Sequence, residues 1–389
     1  MTKRYIGIMS GSSCDGIDAV IAECDQHIRV LHALHKDYPP HLRQQLLHML
    51  EPQHNELVIM AELDVQLGKL YAETVLELLQ QAQVKASAIT AVGCHGQTIR
   101  HEPNAPHPYS IQIGNGHVIA ANTHITTVND FRRRDIALGG QGAPLAPLFH
   151  AAMFVKDHPV WVCNIGGIAN LSYIDPQQGA LCGFDTGPGN ALLDAWYHQH
   201  HTRYFDNHGA WGQTGQCHAD LLHAMLQDPY FLQSPPKSTG RDYFHLDWLK
   251  NYRNQYPGVS SQDIQATLTH LTATSIIEAI TASPHQATEL WLCGGGTKNT
   301  FLMQALKHIA PSRMHIHSSE EHGLDPQHIE AAGFAWLAHC CIHGQPGNSP
   351  LSTGARENTV LGCIHPRNHI KNNENNQRVI PENTHAHLN

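Results

Sequence analysis

Apolar and polar positions along this chain fall into blocks that predict two similar series of elements. Tyr5-Ile6-Gly7-Ile8-Met9 predicts a strand, Ser10-Gly11-Ser12-Ser13-Cys14-Asp15-Gly16 a tight polar loop, and Ile17 to Glu23 a returning strand. Leu42, Leu46, Leu47 and Leu50, then Leu63, Leu67, Leu70, Val75, Leu78 and Leu79, recur at helical spacing across residues 40–83. Ala88 to Gly93 predicts a buried strand ending in Cys94-His95-Gly96-Gln97-Thr98, and Thr126 to Asn129 a further short strand. The pattern then repeats. Val160 to Ile165 predicts a strand, Gly166-Gly167-Ile168-Ala169-Asn170 a turn, and Leu171 to Ile174 a strand. An apolar stripe of Leu268, Leu271, Ile276 and Ile280 predicts a helix over 264–282, followed by strand Leu290 to Cys293 and a triple glycine. Each half therefore reads as a hairpin, a helix, and a strand that ends in a polar or glycine-rich loop. Two α/β halves facing each other across a cleft follow from this, with Gly139-Gly140-Gln141-Gly142-Ala143-Pro144 as the hinge.

Composition narrows the class. The chain has 389 residues, 41% apolar and 15% charged, with a net charge of −9 when histidines are neutral. That balance suits two domains with sizeable cores and gives no basic surface for nucleic acid. No stretch approaches the roughly 20 apolar residues of a membrane span. The start of the chain lacks a secretory pattern, and the ten cysteines include no C-x-x-C pair. A cytoplasmic, reduced protein is expected. The 33 histidines are scattered and read as surface composition. Residues 365–389, rich in Asn, His and Pro, are expected to form a disordered tail.

The densest candidate chemistry is Gly183-Phe184-Asp185-Thr186-Gly187-Pro188-Gly189-Asn190, ahead of a helix. It sets one carboxylate among glycines beside a helix N-terminus, where unpaired N–H groups favour an anion. Two readings compete: a base working next to a phosphate, and a Gly-Pro turn capped by an ordinary Asp. The loop over Gly11, Ser12, Ser13, Cys14, Asp15 and Gly16 offers N–H groups and hydroxyls to phosphate oxygens and one carboxylate, Asp15, to Mg²⁺. Arg132, Arg133 and Arg134 suit a carboxylate or phosphate, or salt bridges to Asp130 and Asp135. Gly294-Gly295-Gly296 permits a flat base to lie on the backbone and is the expected adenosine site.

Taken in order, these motifs, with His95 to Pro103, Phe131 to Asp135, Asn164-Ile165-Gly166-Gly167 and Pro236 to Arg241, resemble those of the anhydro-N-acetylmuramic acid kinases. That family lies within the actin/hexokinase/Hsp70 ATPase superfamily, and the resemblance runs from Tyr5 to Gly362. It implies two RNase H-like lobes, over 1–135 and 136–364, around an interlobe cleft, with the C-terminal helices able to pack back on the first lobe. It implies a cytosolic homodimer of cell-wall recycling that opens the 1,6-anhydro ring with water and phosphorylates O6 from ATP with Mg²⁺. Asp185 falls on the family's catalytic base, and Gly11 to Asp18, including Ile17, on its ATP-phosphate loop. Gln97, Thr98, Arg134 and Glu330 fall on sugar-contacting positions; Glu330 also reads as a structural helix-start carboxylate. The alternative is a simple sugar kinase of the same fold without ring opening. The first loop departs from the family's usual Gly-Thr-Ser-Leu-Asp-Gly at Cys14, and Thr297-Lys298 follow Gly296 where small or apolar residues are usual.

Overall fold

Two mixed β-sheets face each other across a shared layer of helices. The computed structural model describes residues 3–11, 14–25, 27–50, 54–154, 156–178, 180–322 and 324–367. In the first sheet, β1 (Arg4–Met9), β2 (Gly16–Cys24) and β3 (Ile28–Asp37) form an antiparallel meander. Helices α1 (Pro40–Met49) and α2 (Glu56–Gln81) lead to β4 (Ile89–Cys94), which pairs parallel to β1. A separate hairpin, β5 (Gln97–Glu102) with β6 (Tyr109–Ile113), and helix α3 (Gly116–Thr123) precede β7 (Thr127–Asn129), parallel to β4. Short helices α4 (Arg133–Ala137) and α5 (Ala146–Met153) carry the chain across to the second sheet.

The second sheet repeats the plan. Strands β8 (Val160–Ile165), β9 (Ile168–Asp175) and β10 (Ala180–Pro188) form the meander. Helices α6 (Ala191–His200), α7 (Ala219–Leu226), α8 (Leu246–Arg253) and α9 (Ser261–Ala282) follow. Then β11 (Glu289–Cys293) runs parallel to β8, and after α10 (Thr300–Ile309), β12 (His315–Ser318) runs parallel to β11. With a last strand, β13 (Cys363–His365), at the edge of the first sheet, strand orders β13-β7-β4-β1-β2-β3 and β10-β9-β8-β11-β12 are one topology used twice, as expected for actin/hexokinase-type lobes. The continuous apolar runs of β1 and β8 suit strands covered on both faces.

The chain then returns to the first lobe. Helix α11 (Ile329–His343) lies directly on the first sheet, and after α12 (Pro350–Thr353) the last strand, β13 (Cys363–His365), joins the edge at β7. His365, placed in the expected tail, instead closes β13, and its Nε2 bonds the Asn129 Oδ1 at 2.8 Å. Residues 368–389 lie outside the described residues. One apolar cluster joins Tyr5, Val20 and Ala91 of the first sheet to Phe149, Phe334 and Leu337 of the helices and Val160, Val162 and Trp291 of the second sheet. Asp135, fully buried, fastens the crossover by accepting from Gly142 N at 2.8 Å, Asn348 Nδ2 at 2.7 Å and Thr353 Oγ1 at 2.7 Å. Of the expected arginine salt bridges, only Arg133 with Asp130 forms, at 2.8 Å.

Two glycines set how closely α11 lies on the sheet. A Cβ on Gly7 would stand 1.8 Å from the Ala331 carbonyl oxygen, and one on Gly93 would stand 2.0 Å from that of Phe334. Gly7→Ala is expected to destabilise the fold by about 1–3 kcal/mol, because backbone rather than a flexible side chain must yield. It should also reduce activity, since α11 carries Glu330. Urea unfolding and turnover at matched temperature check both; an unchanged midpoint would contradict this packing.

Candidate active site between the two sheets

Register alone assembles the centre of the site. Asn164 on β8 pairs with Asn170 on β9, which pairs with Asp185 on β10. Directly opposed residues in antiparallel strands share a face, so the three polar side chains form one row. Glu330, at the start of α11, meets this row through a hydrogen bond from Asn164. From the first lobe, Asp18 of β2 and Arg132 act on Glu330.

Asp185 is held without a salt bridge. Its Oδ2 accepts from the Thr239 N–H at 3.0 Å. Its backbone N–H donates to the Lys237 carbonyl at 3.1 Å, and its own carbonyl accepts from Tyr230 Oη at 2.8 Å. Among the described residues, Oδ1 has no hydrogen-bond partner. Burial pushes the carboxyl up to about 7, against the Thr239 N–H and the charges of Arg132 and Lys237. Glu330 is also pushed to about 7, by burial and by Asp18, with Arg132 and Asn164 opposing. Lys237 is itself lowered by burial, and its Nζ donates to the Tyr230 carbonyl at 3.1 Å. The result is a basic carboxylate pair that both titrates near neutrality, which ordinary surface acids do not.

Of the arginine triplet, Arg132 rather than Arg134 faces these acids. Arg134 is exposed and bonds Thr359 Oγ1 at 3.1 Å. Arg132 donates to the Gly142 carbonyl at 2.8 Å and to His95 Nε2 at 3.2 and 2.9 Å. Burial and Arg132 hold His95 well below its usual pKa, so its neutral Nε2 accepts. Arg132 forms no direct ion pair with Asp185 or Glu330. Gln97 is fully buried and serves the backbone: its Oε1 accepts from Ser10 Oγ at 2.5 Å and its Nε2 donates to the Gly11 carbonyl at 3.1 Å. Thr98 Oγ1 accepts from Gln112 at 3.1 Å.

The first hairpin loop is partly as expected. Ser12 and Ser13 lie outside the described residues. Cys14, Gly16 and Ile17 are buried in the lobe, whereas Asp15 is exposed and Asp18 half-buried. Asp18 Oδ1 contacts His35 Nδ1 at 2.8 Å, and this bond raises His35 to about 9. Asp194 on α6 is pushed to about 7 by burial, with Arg241 opposing and Asp15 adding to the rise. A buried acid whose charge is opposed by a second acid across a loop suits a divalent cation with hard oxygen ligands. Among the described residues, no group of three or more His, Cys, Asp or Glu is arranged to hold a metal alone.

The helix end beyond Asp185 differs from the expectation. Gly189, Asn190 and Ala191 donate their N–H groups to the Gly167, Gly166 and Gly167 carbonyls at 2.9, 2.8 and 3.0 Å, so they are not open to an anion. A Cβ on Gly189 would meet the Gly166 carbonyl at 2.4 Å, so this glycine serves chain packing. Pro188 ends a strand at the sheet edge, where its missing N–H costs no ladder bond. In the triple glycine, Gly294 and Gly296 pack against Asn164 and Ile165, and Gly295 alone has open space beside it. Gly166 is similarly open, with no atom nearer than 3.5 Å to an added Cβ.

The model of the anhydro-N-acetylmuramic acid kinase family matches residues 3–367, nearly the whole described chain. The chain belongs to that family. It is an anhydro-N-acetylmuramic acid kinase, a phosphotransferase. Solved structures are similar in outline. The activator of the 2-hydroxyisocaproyl-CoA dehydratase from Clostridium difficile with bound ADPNP is 10% identical, covering 86% of this chain and 94% of that one, with a TM-score of 0.44. A ROK family glucokinase from Streptomyces griseus in complex with glucose and AMPPNP is 11% identical, covering 86% and 97%, with a TM-score of 0.39. No helix among the described residues is long and apolar enough to cross a membrane.

Asn164, Asn170, Asp194 and Arg241 had no individual role assigned from the sequence, and Arg132 was read only as one of three consecutive arginines. For the two asparagines a signal exists: each stands three residues from Gly167, as cross-strand partners next to a hairpin turn do.

Proposed function

We propose that this kinase hydrolyses the 1,6-anhydro bond of anhydro-N-acetylmuramic acid and phosphorylates O6 from ATP in one event, giving N-acetylmuramic acid 6-phosphate for cell-wall recycling, in the cytoplasm and as a homodimer. The observation that carries this reading is Asp185: one carboxylate, fixed through Oδ2, poised near neutral pH and unpaired at Oδ1. Glycosidases ordinarily need one carboxyl group to activate water and another to protonate the departing oxygen. Here the departing oxygen is O6. Water attacks C1 and gives its proton to Asp185; the C1–O6 bond breaks, O6 attacks the γ-phosphorus, and ADP leaves with the bond electrons. The phosphoryl group takes the place of the acid's proton.

Arg132 binds the lactyl carboxylate in the space it shares with Asp185 and Glu330, taking the role expected of Arg134. Glu330 accepts from a sugar hydroxyl. Gln97 and Thr98 shape the sugar side through the backbone they hold. The triphosphate lies along Gly11 to Asp18, and the nucleotide reaches Gly167 and the open faces of Gly166 and Gly295. Mg²⁺ would be held by Asp15 with Asp194 opposite, and would supply charge neutralisation at the phosphates.

Mass analysis of the product formed in ¹⁸O-labelled water tests the reaction. One phosphate and one labelled oxygen at C1 are expected on the same sugar, with none in the phosphate ester. A phosphorylated sugar with its anhydro ring intact would refute it. The free-enzyme kcat/KM is further expected to fall as pH drops through about 7, because Asp185 must be ionised to accept a proton. A pH profile flat between about 5 and 8 would contradict that assignment.

A further inference from the structure

Arg241 sits where the two lobes meet and has no assigned task. It lies two residues beyond Thr239, whose N–H holds Asp185. The loop that carries it is pinned on both sides. The Lys237 carbonyl accepts from the Asp185 N–H at 3.1 Å, and Ser238 Oγ donates to Gln141 Oε1 at 2.6 Å. The guanidinium is thus placed by the same strand that places the base.

One of its own donors is not satisfied. The Nε of Arg241 is sealed from water with no hydrogen-bond partner among the described residues. The side chain forms no ion pair with any described acid, although it is only partly exposed. Buried polar groups are nearly always bonded, and guanidinium groups out of water nearly always paired, so an unspent one implies a ligand. Its charge reaches both lobes. It lowers Asp194 on α6, which burial raises, and it lowers Cys14 in the first hairpin loop, which burial also raises.

Arg43 provides a contrast on the opposite side of that loop. Its Nε donates to the Cys14 carbonyl at 2.9 Å, and its guanidinium lies 4.0 Å over the Tyr204 ring. Arg43 is therefore spent on the chain itself, and Arg241 is the arginine with a fork to offer. A planar guanidinium matches phosphoryl oxygens bidentately, which a lysine does not.

We propose that Arg241 is a catalytic residue that grips the γ-phosphoryl group and neutralises the charge on its equatorial oxygens during transfer. This rests on the reading that the triphosphate lies at Gly11 to Asp18. The step balances without it: O6 bonds to the γ-phosphorus, the bond from that phosphorus to ADP breaks, and ADP keeps the electron pair. Arg241 stays protonated throughout and exchanges no proton.

Arg241→Ala and Arg241→Lys, made in the full chain, test the proposal. The alanine variant is expected to lose about 10³-fold in kcat, as arginines that stabilise a transferring phosphoryl group do. Its ADP affinity by calorimetry and its sugar KM should change little, because the interaction belongs to the transition state. Arg241→Lys should recover only a small part of the loss, and millimolar guanidinium ion should restore turnover to the alanine variant. ADP with aluminium fluoride and sugar should bind wild type tightly and the alanine variant weakly. A kcat within about tenfold of wild type would overturn the proposal. So would a rise confined to the sugar KM, which would put the guanidinium on the lactyl carboxylate. A lowered urea midpoint with no guanidinium rescue would make Arg241 structural and equally overturn it. If wild type itself transfers no phosphate to the anhydro sugar, the functional reading fails instead.

Discussion

Asp185→Asn is expected to abolish ring opening and phosphorylation together, by on the order of 10²–10⁴-fold, the range of a lost general base. The substitution is nearly isosteric. An Asn carbonyl oxygen still accepts from the Thr239 N–H, so the loop 235–242 and its pinning of β10 should survive. What disappears is the one oxygen, Oδ1, that takes a proton from water. Because O6 is freed only as water attacks C1, no phosphorylation of the anhydro sugar should outlast the loss. ADP release and the appearance of a reducing sugar should therefore fall in step. Continued phosphorylation with the ring closed would favour the simple sugar kinase.

The same variant has a stability signature. The Asp185 carboxyl is raised from 3.8 to about 7 in the fold. An acid whose folded pKa is raised weakens the fold once ionised; that cost is absent below about 3.8 and complete above about 7. A neutral amide at this position escapes it. Asp185→Asn should therefore unfold at a higher temperature than wild type at pH 8, and the gap should close near pH 4. An active-site carboxylate held at the expense of stability is a common bargain, and a variant less stable at pH 8 would argue that Asp185 is structural.

The sequence showed some of this plainly and concealed the rest for physical reasons. Strands covered on both faces, such as β1, β8 and β11, announce themselves as unbroken apolar runs. Strand β3 did not, because His32, His35 and Lys36 interrupt it on an edge that solvent reaches. The stretch around Asp185 read as a turn ahead of a helix, since Gly and Pro are turn formers. It is instead an edge strand, and its glycines clear room for Phe231 and for the Gly166 carbonyl. The helix start read at Glu330 could not say which sheet that helix covers; Gly7 and Gly93 decide it, from far away in the chain. Asp185 was legible because its neighbours are unusual as a motif. Arg132 was not, because three consecutive arginines look alike until a helix begins at Arg133 and turns Arg134 to solvent. The reaction itself was read from family resemblance rather than from any spacing.

Arg132→Met is expected to move the acid limb of kcat/KM upward and to weaken the protein. Arg132 is the one cation that lowers both Asp185 and Glu330. With it gone, burial acts on both carboxyls with less opposition. Each then stays protonated to a higher pH, so activity lost at pH 7 should partly return by pH 9. For each unit that the limb moves, activity below it falls about tenfold. The sugar KM should rise as well, since the lactyl carboxylate loses its cation. Stability should fall by about 1–3 kcal/mol, because the Gly142 carbonyl and His95 Nε2 lose their donor in a partly buried setting. That loss touches the crossover that Asp135 also fastens, so the urea midpoint and the pH profile report different consequences of one substitution. Restoring charge alone, with Arg132→Lys, should recover most of the limb but not the paired donation to His95. A limb unmoved in Arg132→Met would mean that this guanidinium does not act on the base, and the placement of the substrate carboxylate among Arg132, Asp185 and Glu330 would have to be abandoned.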